Sequence, residues 1–571
     1  MTAYKKIPYG ISNFHDLIAQ HYYYVDKTKY IEVLENFNEK YICFFRPRRF
    51  GKSLFVSLLC NYYDKAKANE FDHIFKELYI GKNPTPLKNS YYVLHLNFSG
   101  INVDDKEKTY SDFTGRVRSS IESFIQKYNP KIKINKEETT PNGMMSDFLS
   151  KAMPLINGKI YIIIDEYDHF TSELLGYNKA LFDDIVSKSG YFRKFFEVLK
   201  TGTETVIDRI FFTGVNPITL DSLTSGFNIS SNLTLHPKLH EMMGFNEAEI
   251  KTLFNHYDIS SEDFNMLLPV LKQHYDGYIF VDEPANHLYN SDMVLYFTKD
   301  YLEERKPPKN LIDENIASSY AKIKRFVEMG DYEQNIAFIR DLLEGNEVSM
   351  VLTTKFEPTS RFNIDDFKSL FFYLGLITLD GSGLRGFKVR IPNYVIKELY
   401  FTFFEHILEN QSNYRVDISG VTNAIADIAE FGRIDTLIKI TEGRLQKLSK
   451  RDFIRFDEKY VKLVMLNYLF MSQIYFVKSE YEVEGGYIDI ALLPRVNVKA
   501  PNHAIIELKY IPKESFTDKL MQEKIAEAEA QLSRYSTSDE LRQVPNLLKF
   551  VVVFKGDECM YAGRISPENF Y

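Results

Sequence analysis

Between residues 41 and 216 the chain carries short, almost wholly apolar runs: "YICFFR", "YYVLHLNFS", "KIYIIIDEY" and "DRIFFTGV". Their length and continuous apolarity predict buried strands rather than half-exposed ones. The segments between them, such as "SDFTGRVRSSIESFIQKY" and "GYFRKFFEVLKTG", have helical spacing instead. A strand–helix alternation of this kind predicts a parallel sheet covered by helices on both faces.

The rest of the chain reads differently. At 571 residues it is too long for one core and suits about three or four domains. From about 240 to 335 the pattern is helical, opening with "GFNEAEIKTLFNHY", where Asn246 is placed to cap and Glu249 follows three residues later. Residues 338–408 predict helices around a hairpin, "LITLDGSGLRGFKVRIP", a small winged-helix-like unit. The polar stretch "ENQSNYRVD" at 409–417 is the predicted linker. Beyond it come helices to about 476, strands "GGYIDIALL" and "HAIIELKYI", a helix "KLMQEKIAEAEAQLSRY" and a last strand "LLKFVVVFKG". The expected fold is therefore α/β and multidomain, with a nucleotide-type parallel sheet, a helical and winged-helix-like middle, and a second α/β unit.

"FRPRRFGKS" joins the first strand to an apolar helix. A phosphate-binding loop needs backbone N–H groups, a lysine, and a serine or threonine for magnesium at a helix N-terminus. Gly51, Lys52 and Ser53 supply these, although Arg46 stands where the usual pattern has glycine. By itself "FGKS" is as easily a chance match. The run ending in Asp165-Glu166, expected beside the loop strand, would put Asp165 near the magnesium and Glu166 where a water is activated. Thr213 or Asn216, in "FFTGVNP", would reach the γ-phosphate or the attacking water, or simply form a polar turn. Arg48 and Arg49 face either phosphate or a neighbouring subunit, or are solvated charge.

A second constellation lies near the C-terminus. In "AIIELKY", Glu507 and Lys509 are two apart on a strand and share a face. Asp489, in "YIDIALL", is a hairpin away. Two acidic ligands for magnesium and a lysine to position water are what a metal-dependent nuclease requires, but an E-x-K pair is also common on exposed strands. Glu458 is a candidate further acid or a solvated helix carboxylate. Gln531 and Tyr535 are weaker candidates for contacting backbone or a base.

The net charge of −8 gives no general sign of nucleic-acid binding, so any such surface must be a local basic patch, with "KLSKRDFIR" at 447–455 a candidate. The three cysteines have no metal or disulfide spacing and suit a reducing cytoplasm. The twelve histidines are scattered and form no zinc pattern. Neither a signal-peptide pattern nor an apolar run of ~18 residues is present.

The wording and order of "IPYGISNFHDLI", "YYVDKTKYI", "FRPRRFGKSL", "LNFSG", "IIIDEYD", "FFTGV" and "HYDGYIF" resemble the AAA-ATPase-like family of bacterial proteins, which commonly carry a C-terminal PD-(D/E)XK nuclease domain. In that family "RPRRFGKS" is the usual loop. The resemblance implies ATP and magnesium as cofactors. Arg48, Arg49, Gly51, Lys52, Ser53, Asp165 and Thr213 would bind nucleotide, with Ser53 and Asp165 on its magnesium and Glu166 catalytic. In the nuclease domain Asp489 and Glu507 would be metal ligands and catalytic with Lys509. The expected domains are 1–238 (NTPase), 239–337 (helical, lid-like), 338–410 (winged-helix-like) and 411–571 (nuclease-like). The expected function is an ATP-binding and ATP-hydrolysing cytoplasmic protein regulating a nuclease on DNA or RNA in defence against foreign nucleic acid, with no membrane partner and a homo-oligomer open. The alternative is a signalling NTPase whose C-terminal fold binds without cutting.

Overall fold

The structure is a computed structural model of the chain and describes residues 4–219, 227–313, 323–356, 362–412, 415–448, 457–496 and 498–565. It divides into two compact units, Met1–Arg305 with Asn310–Leu342 and Glu347–Val395, and Ile396–Tyr571 with Lys306–Lys309 and Leu343–Asn346.

In the first unit β1 (Tyr41–Phe45), β2 (Tyr92–Asn97), β3 (Ile160–Asp165), β4 (Ile207–Gly214) and the two-residue β5 (Ser231–Asn232) form one sheet in the order β2-β3-β4-β1-β5. Every pairing is parallel. All six residues of β3 are buried, as a strand covered on both faces requires. The helix Lys106–Tyr128 buries Phe113, Val117, Ile121 and Phe124, and the helix Tyr191–Gly202 buries Phe192, Phe195, Phe196 and Leu199. One expectation fails here: the acidic strand β3 does not lie beside β1. Strand β4 pairs with both and separates them, because strand order follows from how the crossover helices pack, not from sequence order.

The helix Glu247–His256 starts in the predicted capping box, with the Asn246 side chain on the Glu249 N–H and the Glu249 carboxylate on the Asn246 N–H. The predicted hairpin forms as β7 (Thr378–Gly383) and β8 (Gly386–Arg390), and a third strand, β6 (Val348–Met350), pairs with β8. Three residues are too few to show a period, so β6 left no signal in the sequence.

In the second unit the helix Tyr394–Ser412 runs into the stretch expected to be a linker. Its Glu405 is ion-paired with the fully buried Arg444 and accepts from Asn467, while Arg444 Nε donates to Tyr468 at 3.0 Å. These contacts fasten the helix to the compact unit that includes Ile396–Tyr571. The sheet runs β13-β12-β11-β10-β9: β9 (Phe476–Val483), β10 (Gly486–Leu493), β11 (His503–Ile511), β12 (Leu547–Lys555) and β13 (Glu558–Arg564). Only β11 and β12 pair in parallel. The two edge strands escaped the sequence reading because each is largely polar or half-exposed, "FVKSEYEV" and "ECMYAGR".

Candidate functional site

Helix Lys52–Tyr63 follows β1 through the turn Arg46–Gly51. Gly51 caps it at φ 92° with no atom within 4 Å of the place a Cβ would take, so glycine is needed for its backbone angle and not for space. A cavity of about 920 Å³ opens there, at the C-terminal ends of β1, β2 and β3. Its wall includes Arg48, Arg49, Gly51, Lys52, Ser53, Asp165 and Glu166.

Lys52 is buried, and its Nζ donates to the Pro47 carbonyl at 3.1 Å. Burial pulls its pKa down, while Glu166, Asp168 and Asp165 oppose the shift. The helix packs against β3 despite the intervening strand, so Ser53 is near enough to Asp165 to favour its ionised form. Asp165 is pushed up to about 6, chiefly by burial and then by Glu166. A buried carboxylate whose ionisation is opposed by burial and a second acid, close to a serine in the first turn of the helix, is a fitting seat for a magnesium–nucleotide: the cation would supply the missing positive charge. Glu166 takes φ 51°, a left-handed angle uncommon outside glycine.

Thr213 behaves otherwise than expected. It is fully buried, gives its hydroxyl to the Phe44 carbonyl at 2.6 Å and does not line the cavity. Asn216 is likewise committed, donating to Ser172 at 2.9 Å and accepting from the Ile218 N–H.

Arg46, the apparent flaw in the loop, is a buried structural residue. Its guanidinium donates to the carbonyls of Phe45 at 3.0 Å, Thr234 at 2.8 Å, and Leu239 and His240 at 3.3 Å. It lies 4.3 Å from the ring centres of both Phe44 and Phe280. Burial lowers its pKa to about 9.

In the second unit, β10 and β11 are antiparallel with Ile490 opposite Ile506, which sets Asp489 and Glu507 one step along at neighbouring positions. Asp489 Oδ2 accepts from the Leu508 N–H at 2.9 Å, and Oδ1 lies 3.3 Å from Lys462 Nζ. Lys509 donates to Glu507 Oε1 at 3.0 Å. The other Glu507 oxygen, Oε2, is buried with no hydrogen-bond partner among the described residues. Burial and then Asp489 push Glu507 up to about 7, against the pull of Lys509. Glu458, at the start of the helix Glu458–Leu469, joins the same cluster: its pKa is raised by burial and Asp489 and lowered by Lys509 and Lys462.

Orphaned Oε2 and three mutually repelling carboxylates fit a hard divalent cation. Among the described residues no group of three or more His, Cys, Asp and Glu encloses a metal position. Magnesium, which keeps several waters, needs only one or two protein carboxylates, and Asp489 and Glu507 are placed to supply them.

Two family descriptions match. Residues 8–224 match "Predicted AAA-ATPase", and residues 456–563 match "PD-(D/E)XK nuclease superfamily". The chain carries an AAA-ATPase-like domain and a PD-(D/E)XK nuclease-superfamily domain. A curated relative, "Uncharacterized protein in vnfD 5'region" of Azotobacter chroococcum, is 24% identical over 322 residues, 54% of this chain and 56% of that protein. The chain thus spans little more than half the length of that relative. A solved structure, the Aeropyrum pernix ORC1 protein in complex with DNA, aligns over 66% of this chain and 91% of its own at 9% identity and a TM-score of 0.27.

Within the first unit two sets of residues had no distinctive sequence signal. Asp168 is buried and its carboxylate accepts from the Val215 and Asn216 N–H groups at 3.0 and 2.8 Å, tying the acidic turn to the end of β4. Gly214 permits this, since a Cβ there would sit 1.9 Å from Asp168 Oδ1. In the second set, Ser291 Oγ donates to the Arg49 carbonyl at 3.1 Å and Asn290 Nδ2 to that of Arg48 at 3.4 Å, so "YNSD" grips the loop from outside. In the nuclease-superfamily domain the unforeseen member is Lys462. Tyr535 is core, buried among Ile488, Leu532 and Val551, and Gln531 Oε1 is buried with no partner among the described residues. Most of the basic candidate 447–455 lies outside the described residues. No helix among them is long and apolar enough to cross a membrane.

Proposed function

We propose that this protein binds and hydrolyses ATP in its AAA-ATPase-like domain, and that ATP regulates a magnesium-dependent nuclease at its C-terminus acting on DNA or RNA. The reading rests on the presence in one chain of the Lys52–Ser53–Asp165–Glu166 set and the Asp489–Glu507–Lys509 set. Gly51, Lys52 and Ser53 hold the phosphates, with Arg48 and Arg49 on the cavity wall as further anion contacts. Ser53 and Asp165 hold the nucleotide's magnesium, and Glu166 takes the proton of the attacking water. In the nuclease site Asp489 and Glu507 hold magnesium, which supplies charge to the phosphodiester oxygens, and Lys509 orients the water. The proposed divisions are 1–238, 239–337, 338–410 and 411–571, the last beginning earlier if the compact unit at Ile396 is the folding boundary. A cytoplasmic setting and a part in defence against foreign nucleic acid complete the reading.

The deciding experiment incubates the full chain with single- and double-stranded DNA and RNA, magnesium or manganese, with and without ATP. Wild type is expected to cut at least one substrate, Glu507→Ala none, and Lys52→Ala with altered dependence on ATP. An absence of cutting under every condition leaves a nucleotide switch with a binding module in place of the nuclease.

A further inference from the structure

Lys462 has no part in the E-x-K arrangement, yet it is built into the site. Its side chain is 6% exposed and its ammonium lies between two carboxylates, Glu480 and Asp489, at 3.3 Å from Asp489 Oδ1. Asp489 Oδ2 is held by a backbone N–H of the neighbouring strand. Oδ1 is therefore the oxygen left for a cation, and Lys462 stands on it. An ammonium has three donors, of which Asp489 and Glu480 account for two. Glu480 lies on β9, the strand beyond β10 from the E-x-K strand, so it anchors Lys462 independently of the metal ligands. The other charges facing Lys462 are Glu458 on its own helix and Lys397 on the helix Tyr394–Ser412. Lys397 lies outside the residues matched to the nuclease superfamily.

We propose that Lys462 is a displaceable positioning residue: it neutralises Asp489 when no metal is present, yields Oδ1 to the incoming divalent cation, and, still tethered by Glu480, turns its freed donor to a non-bridging oxygen of the substrate phosphodiester. This rests on the nuclease reading above. Like charges at this range oppose each other strongly where water is scarce, so Lys462 lowers metal affinity in the absence of substrate. Bound nucleic acid relieves that opposition by taking the ammonium. The cation and the phosphate backbone thereby favour each other's binding without touching the ATP site.

The test uses the nucleotide-free full chain and Mn2+ as the probe, followed by titration calorimetry, with circular dichroism to confirm folding. Removing the competing charge in Lys462→Gln should tighten Mn2+ binding roughly tenfold, while Lys462→Arg should stay near wild type. Binding of a short DNA, measured with Ca2+ in place of magnesium over a range of salt, should lose about one unit of its log–log salt slope in Lys462→Gln, as loss of a phosphate contact does. Lys462→Met, which keeps the buried stem, serves if the glutamine variant does not fold. Mn2+ affinity that is unchanged or weaker, or a salt slope equal to wild type, overturns the proposal. Wild type that binds no more Mn2+ than Glu507→Ala overturns the nuclease reading itself, and this proposal with it.

Discussion

The guanidinium of Arg49 lies 3.1 Å from the carboxylate of Asp292, a residue 243 positions away in the sequence. Asp292 stands in the first turn of the helix Ser291–Glu304, its side chain 12% exposed and its pKa raised by burial. The pair binds an arginine of the turn before the helix Lys52–Tyr63 to a helix outside the sheet, and it places a negative charge on the wall of the cavity proposed to hold ATP. Asp292→Asn removes that charge at constant shape. It should tighten ATP binding roughly fivefold, on the ~1 kcal/mol scale of a partly exposed ion pair. Titration with a fluorescent ATP analogue measures this; weaker binding would mean that the pair holds the loop in its binding shape.

Restoring glycine at position 46 should damage the protein. Arg46→Gly strips donors from four backbone carbonyls and empties the space between Phe44 and Phe280. A loss of about 3 kcal/mol or more follows from the unsatisfied acceptors and the cavity together. Arg46→Lys should recover little, since one ammonium cannot span the acceptors that the planar fork reaches. Denaturant unfolding of the variants decides it.

Glu507 sets a pH dependence with a definite sign. Its pKa is raised from 4.5 to about 7 in the folded state, so the native protein holds this proton more tightly than the unfolded chain. Stability is therefore fully present below about pH 4.5, declines as pH rises through 7, and ends lower by up to about 3 kcal/mol. Glu507→Gln should flatten that decline and melt higher than wild type at pH 8. Mn2+ binding should strengthen up to about pH 7 and then level, because the ligand must shed its proton first. A wild-type melting curve insensitive to pH between 5 and 8 contradicts this.

Thr213→Val separates a structural hydroxyl from a catalytic one. Losing the bond to the Phe44 carbonyl should cost about 1 kcal/mol of stability, with ATP affinity and phosphate release unchanged. A tenfold fall in turnover at unchanged stability would instead return Thr213 to the phosphate site.

The interior strands β1, β3, β4, β10, β11 and β12 announced themselves because most of each is buried and apolar, and the edge strand β2 did so through its apolar run at Tyr92, Val93 and Leu94. The edge strands β9 and β13 and the three-residue β6 did not, because solvent accepts their polar residues or their length carries no period. The same contrast runs through the sites. Gly51-Lys52-Ser53 and Glu507-x-Lys509 are contiguous, so local geometry fixes their relation; Asp168 and Lys462 gain their meaning only from partners 48 and 27 residues away.

The sequence by itself determined the buried strands, the capped helices, and the pairs of residues whose spacing puts them on one turn or one strand face. Tertiary structure alone decided that β4 separates β1 from β3, that Ser53 still lies near Asp165, that Arg46 is a buried tie and not a spoiled glycine, and that Lys462 stands on Asp489. Periodicity records which face of an element is buried, whereas which elements become neighbours depends on packing among segments far apart in the chain, and no local pattern encodes that.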